Sequence, residues 1–296
     1  MKIRHFFALT AAILLLPAAQ ADIVLKDDSG QEVRLKGPAK RIVTLAPHAA
    51  ESLYAAGAGE RLVGTVEYSD YPPAAKKVAR VGGYSRIDLE AVAALKPDLV
   101  IAWLSGNNQN QIDKLRAIGL TVYVSQPNTM DDVASQLERF GQMAGSEAIA
   151  KNAAGQFRQR LAQLRASNAQ KPKVRVFYQI WKSPMMTVGG PQIISDAIRL
   201  CGGDNVFGHL KQMSVTVSVE AVLATDPEAI VATGMGEARP EWLADWDKWT
   251  QMTAVKRANL FHINPDIMQR HTPRILDGAE RLCAHLDVVR SRRPAP

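Results

Sequence analysis

The residues of this chain best equipped for chemistry are six histidines and two cysteines, and their spacing argues against catalysis. No two histidines stand at the H-E-x-x-H interval. There is also no G-x-S-x-G elbow, no P-loop and no G-x-G-x-x-G turn, the arrangements that expose a nucleophile, cradle a phosphate or seat a dinucleotide. Cys201 and Cys283 lie 82 residues apart, far from the C-x-x-C spacing of a redox or metal pair. In an oxidising compartment such a pair closes a structural disulfide, which would stabilise the fold by roughly 4–5 kcal/mol through loop-closure entropy. With no catalytic or metal motif, the expected chemistry is recognition: a binding protein, not an enzyme.

The compartment is suggested by the first 21 residues. Lys2 and Arg4 open the chain, residues 6–16 are an apolar run too short to span a bilayer, and Pro17 ends it. Ala19-Gln20-Ala21 then fits the small-residue rule for leader cleavage, so residues 1–21 are expected to be a signal peptide. The expected location is the periplasm, and no cysteine near the cleavage site could take a lipid anchor. A hydrophobic share of 47% with 22% charged residues excludes a disordered chain, and no apolar run reaches the ~20 residues of a membrane helix. Loss of Lys2 and Arg4 lowers the formal charge from +7 to +5, and Arg290, Arg292 and Arg293 sit in a terminal segment, 290–296, read as a solvated basic tail. Without a concentrated basic stripe, nucleic acid is not an expected partner.

The body of the chain alternates short apolar runs with helical patterns. Strands are expected over 41–46, 62–68, 98–103 and 120–125, and helices over 49–56, 89–95, 109–118 and 131–143. Continuous apolar strands between helices imply a parallel sheet covered on both faces. Residues 146–169 carry a helical seam of Ile149, Ala153, Phe157, Leu161 and Leu164, with Ser146 as N-cap and Pro172 beyond the end. That rod, roughly 36 Å long, is a stiff connector. The alternation then restarts, with strands over 174–180, 229–233 and 260–263 and helices over 193–200 and 273–286. The fold class is therefore α/β, with two Rossmann-like lobes around central parallel sheets: 22–144, a connecting helix over 145–170, and 171–289.

A faint repeat supports the two-lobe plan. Leu89-Glu90-Ala91-Val92 with Pro97-Asp98 falls on Val219-Glu220-Ala221-Val222 with Pro227-Glu228 at a constant offset of 130 residues. Glu90 and Glu220 thus occupy equivalent places, one per lobe. Two lobes on a rigid connector enclose a cleft, where ligands tend to bind.

Three stretches go beyond pattern: Tyr68-Ser69-Asp70-Tyr71-Pro72-Pro73; the run ALKPDLVIAW ending at Trp103, with Gly106-Asn107; and Cys201-Gly202-Gly203-Asp204-Asn205-Val206-Phe207. With Asp266, Arg270, Pro273 and Arg274 they resemble the periplasmic cobalamin-binding proteins of ABC importers, helical-backbone solute-binding proteins, over nearly the whole exported chain. The resemblance implies two lobes with little hinge closure, a monomer without a resident cofactor, and delivery of cobalamin or a related corrinoid to a membrane permease dimer and its ATPase. It assigns Tyr68 and Trp103 to the corrin, Asp266 and Arg270 to contacts from the second lobe, and Glu90 and Glu220 to docking on transporter arginines.

A corrin is a disc with apolar faces and an amide rim, so aromatic rings and a few polar groups should meet it. Tyr84 and Trp181 join Tyr68 and Trp103 as candidate walls, while Trp242, Trp246 and Trp249 are read as packing or surface residues. His48 follows Pro47 in the first strand-to-helix loop. It is read first as a non-ligating cleft contact, with a plain loop histidine or a metal ligand as alternatives, and His271 beside Arg270 is read similarly. Ser214 and Tyr84 stand where the resembled pattern has tryptophans, and Met185-Met186 where it has Pro-Phe, so haem or a ferric siderophore is the rival ligand. An exported metal-dependent hydrolase is the rival of another class.

Overall fold

The computed structural model describes residues 22–83, 86–234 and 238–294, so the expected leader lies outside the described residues. The described chain opens with an antiparallel hairpin not foreseen from the sequence, β1 (Ile23–Lys26) and β2 (Glu32–Leu35). The first lobe follows: β3 (Ile42–Thr44), α1 (Pro47–Ala55), β4 (Leu62–Thr65), β5 (Ala79–Arg80), α2 (Leu89–Ala94), β6 (Leu99–Trp103), α3 (Gln109–Ala117), β7 (Val122–Ser125) and α4 (Met130–Ala144). Its sheet runs β5-β4-β3-β6-β7 with every pair parallel. Strand β6 shows why the apolar run is continuous: Leu99 to Ala102 are buried on both faces, and only Trp103 at the end emerges. The strand expected to reach residue 68 stops at Thr65, where the chain turns off the sheet.

A capping box of Thr129 and Asp132 starts α4. Gly145 ends it at φ 64°, where a side chain would also press on Pro38 at 2.8 Å. The connector α5 (Glu147–Asn168) follows at once, 22 residues and about 33 Å long. Ser146 precedes it, but its hydroxyl donates to the Ala56 carbonyl at 2.7 Å instead of capping the helix.

The second lobe comprises β8 (Val174–Trp181), β9 (Met186–Val188), α6 (Ile193–Leu200), β10 (Gly203–Asn205), β11 (Ser214–Thr216), α7 (Val219–Thr225), β12 (Ala229–Ala232), α8 (Thr253–Lys256), β13 (Leu260–His262), α9 (Pro265–Met268) and α10 (Ile275–Ser291). Its sheet keeps a parallel centre, β8-β12-β13, and β9 and β11 extend it antiparallel, so it is mixed where the first is wholly parallel. The connection from Trp181 to Met186 is too short for a parallel crossover, which forces β9 to return antiparallel.

One apolar core runs through both lobes. It joins Ile42, Leu53 and Tyr123 of the first to Val176, Ile198 and Leu282 of the second through Phe140 on α4 and Phe157 and Leu161 on α5. Each sheet's other face has its own cluster, around Val100 and Ile112 in one lobe and Phe177 and Trp246 in the other. Trp246 packs on Phe177 and donates its indole N–H to Gln179 at 2.9 Å. Of the three arginines expected in a solvated tail, Arg292 is exposed, whereas Arg290 and Arg293 fold back onto the lobe. Helix α10 runs through Ser291, Arg290 donates to the Pro172 and Cys201 carbonyls at 2.8 Å, and Arg293 pairs with Glu228 at 2.9 Å. Carbonyls and a carboxylate left at the base of the lobe attract these side chains back onto it.

The repeat at offset 130 has a structural counterpart. Asp88 and Ser218 cap α2 and α7 by accepting from Ala91 and Ala221, and Lys96 and Asp226 end the two units at φ 46° and 39°. Cys201 and Cys283 are bonded, tying α6 to α10. Replacing both, Cys201→Ala with Cys283→Ala, is expected to cost about 2–5 kcal/mol in urea unfolding while leaving the far-ultraviolet dichroism unchanged.

Candidate ligand-binding cleft

The carboxyl ends of β6 and β8 face each other across the gap between the lobes, the place where open α/β sheets bind ligands. The cleft there holds about 400 Å³ and is walled by Trp103 and Trp181, with Met186, Gln192, Gln269 and His271 among its lining. Trp103 owes its position to the next turn. A side chain on Gly106 would sit 1.8 Å from the indole, so only glycine lets the ring lie against the backbone. Asn107 accepts from the Trp103 amide at 2.7 Å and donates to the Leu45 carbonyl at 2.9 Å, pinning the strand end to its neighbour.

Below Trp103 lie two imidazoles, one from each lobe. His48 is the second residue of α1, and His271 sits between α9 and α10. Their centroids are 5.1 and 6.1 Å from the Trp103 ring, both edge-on, and 5.5 Å from each other. His48 is 4% exposed and lies behind the lining, on which only His271 of the two appears. The Gln192 amide nitrogen approaches His271 Nε2 at 3.3 Å, while Gln192 Oε1 accepts from the Ile194 amide. The amide nitrogen can only donate, so His271 Nε2 accepts and Nδ1 carries the hydrogen. Burial, then the charges of His271 and Arg270, hold His48 well below the usual imidazole range, and burial lowers His271 to about 4.

Around these rings runs an inter-lobe ion network. Glu51 on α1, 3% exposed, accepts from Nε and Nη2 of Arg274 at 2.6 Å each and from the Thr272 hydroxyl at 2.7 Å. Arg270 reaches Asp70 of the first lobe at 2.6 Å and Asp266 at 2.8 Å, with Glu51 at 3.8 Å. Burial opposes ionisation of Asp70, but the Arg270 hydrogen bond and charge outweigh it and keep the carboxyl below the usual range. The Arg274 guanidinium also lies 3.7 Å above the Tyr71 ring, a cation–π contact. Glu51, Thr272 and Arg274 had no assigned role in the sequence reading. The available signal was a carboxylate on the alanine-rich face of α1, amid residues that are otherwise buried.

The remaining candidates fall in three places. Tyr68 lies outside the cleft lining, two residues before Asp70, and is 64% exposed with its backbone at φ 62°, a conformation an aromatic residue adopts only under constraint. Trp181 is 41% exposed and anchored by its indole N–H to the Ser183 carbonyl at 3.1 Å. Ser214 lines the cleft with Met186, whereas Met185 turns to the cluster around Trp246. Tyr84 lies outside the described residues. Glu90 and Glu220 are away from the cleft, each the exposed second residue of its helix. Among the described residues no group of three or more His, Cys, Asp or Glu side chains could hold a metal ion. Glu51→Ala should destabilise the fold by about 3–5 kcal/mol in urea unfolding, because it strands the buried Thr272 hydroxyl and the half-buried Arg274 guanidinium, whereas Arg158→Ala on the surface should cost under about 1 kcal/mol.

These features match those of known proteins. The family model for periplasmic binding proteins covers residues 42–267. The vitamin B12-binding protein of Vibrio cholerae is 38% identical over 255 residues, 86% of this chain and 92% of that protein. The vitamin B12-binding protein of Yersinia pestis is 36% identical over 248 residues, 84% of this chain and 86% of its own. The crystal structure of the periplasmic vitamin B12 binding protein BtuF of Vibrio cholerae superposes with a TM-score of 0.79, covering 86% of this chain and 98% of that one. A periplasmic haem-binding protein of Pseudomonas aeruginosa, 24% identical with a TM-score of 0.72, shares the fold. With its two α/β lobes, its inter-lobe cleft and this extent of likeness, the chain belongs to the periplasmic binding protein family, a family of binding proteins and not of enzymes.

Proposed function

We propose that this protein captures vitamin B12, or a corrinoid of the same shape, in the periplasm and delivers it to an ABC importer. The observation that carries the reading is the pair of tryptophans at facing strand ends, Trp103 and Trp181, above an inter-lobe cleft in a chain 38% identical to a vitamin B12-binding protein. Their rings offer the apolar area that the faces of a corrin require. Gln192 and Gln269 on the lining, with Arg270 and Asp266 on the second-lobe side, offer donors and acceptors to its amide rim. Tyr68, exposed and two residues from the Asp70 that pairs with Arg270, adds aromatic surface beside the inter-lobe ion network.

Binding and delivery use different surfaces. The lobes over 22–144 and 171–289, joined by 145–170, each present one exposed glutamate, Glu90 and Glu220, at a helix start. The Glu220 amide and the Ser218 hydroxyl favour the ionised form of Glu220. One carboxylate per lobe suits arginines of a two-fold permease dimer, because such pairs are bidentate and steer encounter. The ATPase that drives the permease completes the proposed assembly.

Calorimetric titration of the exported chain with cyanocobalamin, with haem in parallel, tests the ligand. One-to-one cyanocobalamin binding without a haem signal is expected, and haem binding alone would move the chain to the rival ligand class. Trp103→Ala should weaken cyanocobalamin binding about 30-fold, the ~2 kcal/mol of a central aromatic anchor; unchanged affinity would make Trp103 a packing residue only. Glu90→Ala with Glu220→Ala should leave affinity within about twofold and lower uptake into vesicles carrying the reconstituted importer; undiminished uptake would remove the docking role.

A further inference from the structure

His48 and His271 meet across the lobe boundary, their rings tilted by 36°. Each keeps one buried ring nitrogen, His48 Nε2 and His271 Nδ1, with no hydrogen-bond partner, and so does the Trp103 indole above them. The charged groups facing the pair come from every element packed on it. Arg270 is next to His271 in the chain, and Arg274 starts α10. Glu51 reaches in from α1, and Asp70 and Asp266 stand on either side of Arg270. Each of these carboxylates is already engaged by a guanidinium, so a proton added to either ring would find no carboxylate free to answer it. The new cation would instead lie beside Arg270 and the other imidazole, in an interior where like charges interact strongly.

We infer that His48 and His271 are positioning residues for the cleft: as neutral rings they hold Trp103 and the two lobes in the binding arrangement, and protonation of either ring opens the lobe contact and loosens the ligand. The inference rests on the cleft being the ligand site proposed above. Burial lowers both imidazoles, His271 to about 4, whereas a ring freed into water titrates near ~6.5. Between those values the opened state binds more protons than the closed one. The closed arrangement is therefore fully favoured above pH ~6.5 and loses ground steadily as the pH falls toward 4.

The test pairs two readouts on the exported chain between pH 7.5 and 4.5. One is the cyanocobalamin dissociation constant. The other is a ligand-free inter-lobe distance, from spin labels at Ile118→Cys and Lys256→Cys, exposed positions on opposite lobes. The wild-type side chains should give at least a tenfold loss of affinity and a shifted distance at the lower pH. His48→Asn with His271→Asn, polar but not titrating in this range, should remove the pH dependence: whatever its affinity at pH 7.5, that affinity and the distance should change less than twofold and not at all, respectively, down to pH 4.5. A wild type flat in both readouts, or a double variant that tracks it, overturns the inference. If cyanocobalamin binds at no pH, the vitamin reading fails and the distance still decides the role of the pair. If the double variant does not fold, the wild-type distance decides alone, and an unchanged value overturns the inference.

Discussion

Glu51 carries a carboxylate into the contact between the lobes with 3% of its surface exposed, and a buried charge must be answered. The answer comes from the other lobe, 221 and 223 residues later, as the Thr272 hydroxyl and the Arg274 guanidinium. The segment between α9 and α10 is thereby held against α1, and its other members take their places as a result. Arg270 is turned toward Asp70, and His271 is brought under Trp103. Burying such a pair adds little net stability compared with apolar residues of the same size; its strength is in specifying one arrangement. Here the arrangement specified is the relation of the two lobes.

Apolar packing reinforces that relation. The core shared through α4, α5, α6 and α10 makes the lobes one body on the helix side, and the disulfide and the Arg160 pairs with Asp277 and Glu280 tie α10 into it. The outer ion pairs are half exposed and screened, so they contribute little individually. What separates the lobes is the cleft side alone, where contact is made by polar and aromatic groups. Movement that alters the cleft must therefore work on the Glu51 and histidine contacts, because on the helix side the lobes share one apolar core.

Much of the fold was legible because burial on both faces leaves a simple trace. The run from Leu99 to Ala102 could only be an interior strand, and the heavily buried α4 and the connector α5 fell within one or two residues of their expected bounds. Elements of three or four residues escaped. Strands β1 and β2 alternate exposed with half-buried or buried positions too briefly to register, and β9 and β11 are defined by their pairing, not by their composition. In the site, Trp103 was legible from its place at a strand end. The partners of Glu51 were not, since nothing in the chain links residue 51 to residue 274 until the lobes are docked. His48 was legible as a position but not as a burial: its place after Pro47 read as a strand-to-helix loop, whereas it is the second residue of α1 and its ring packs inward.

The repeat and the cleft place opposite demands on the same chain. Around Glu90 and Glu220 the two lobes are copies down to the cap, the left-handed end residue and the acidic side chain on the next strand's entry, Asp98 and Glu228. Each of those acids accepts from backbone amides, Lys40 and Arg41 in one case and Arg175 in the other. Such likeness is what the docking proposed above, on a two-fold permease, calls for. A ligand cleft needs the contrary, because a ligand without that symmetry must find different groups on its two sides. The chain meets this by building the cleft outside the repeated units. The first lobe contributes the start of α1 and the turn after β6, the second the mixed edge of its sheet and the segment from α9 to α10. Symmetry is kept where the repeat caps its helices and abandoned at the strand ends, and the divergence of β9 and β11 from a wholly parallel sheet is the clearest physical mark of it.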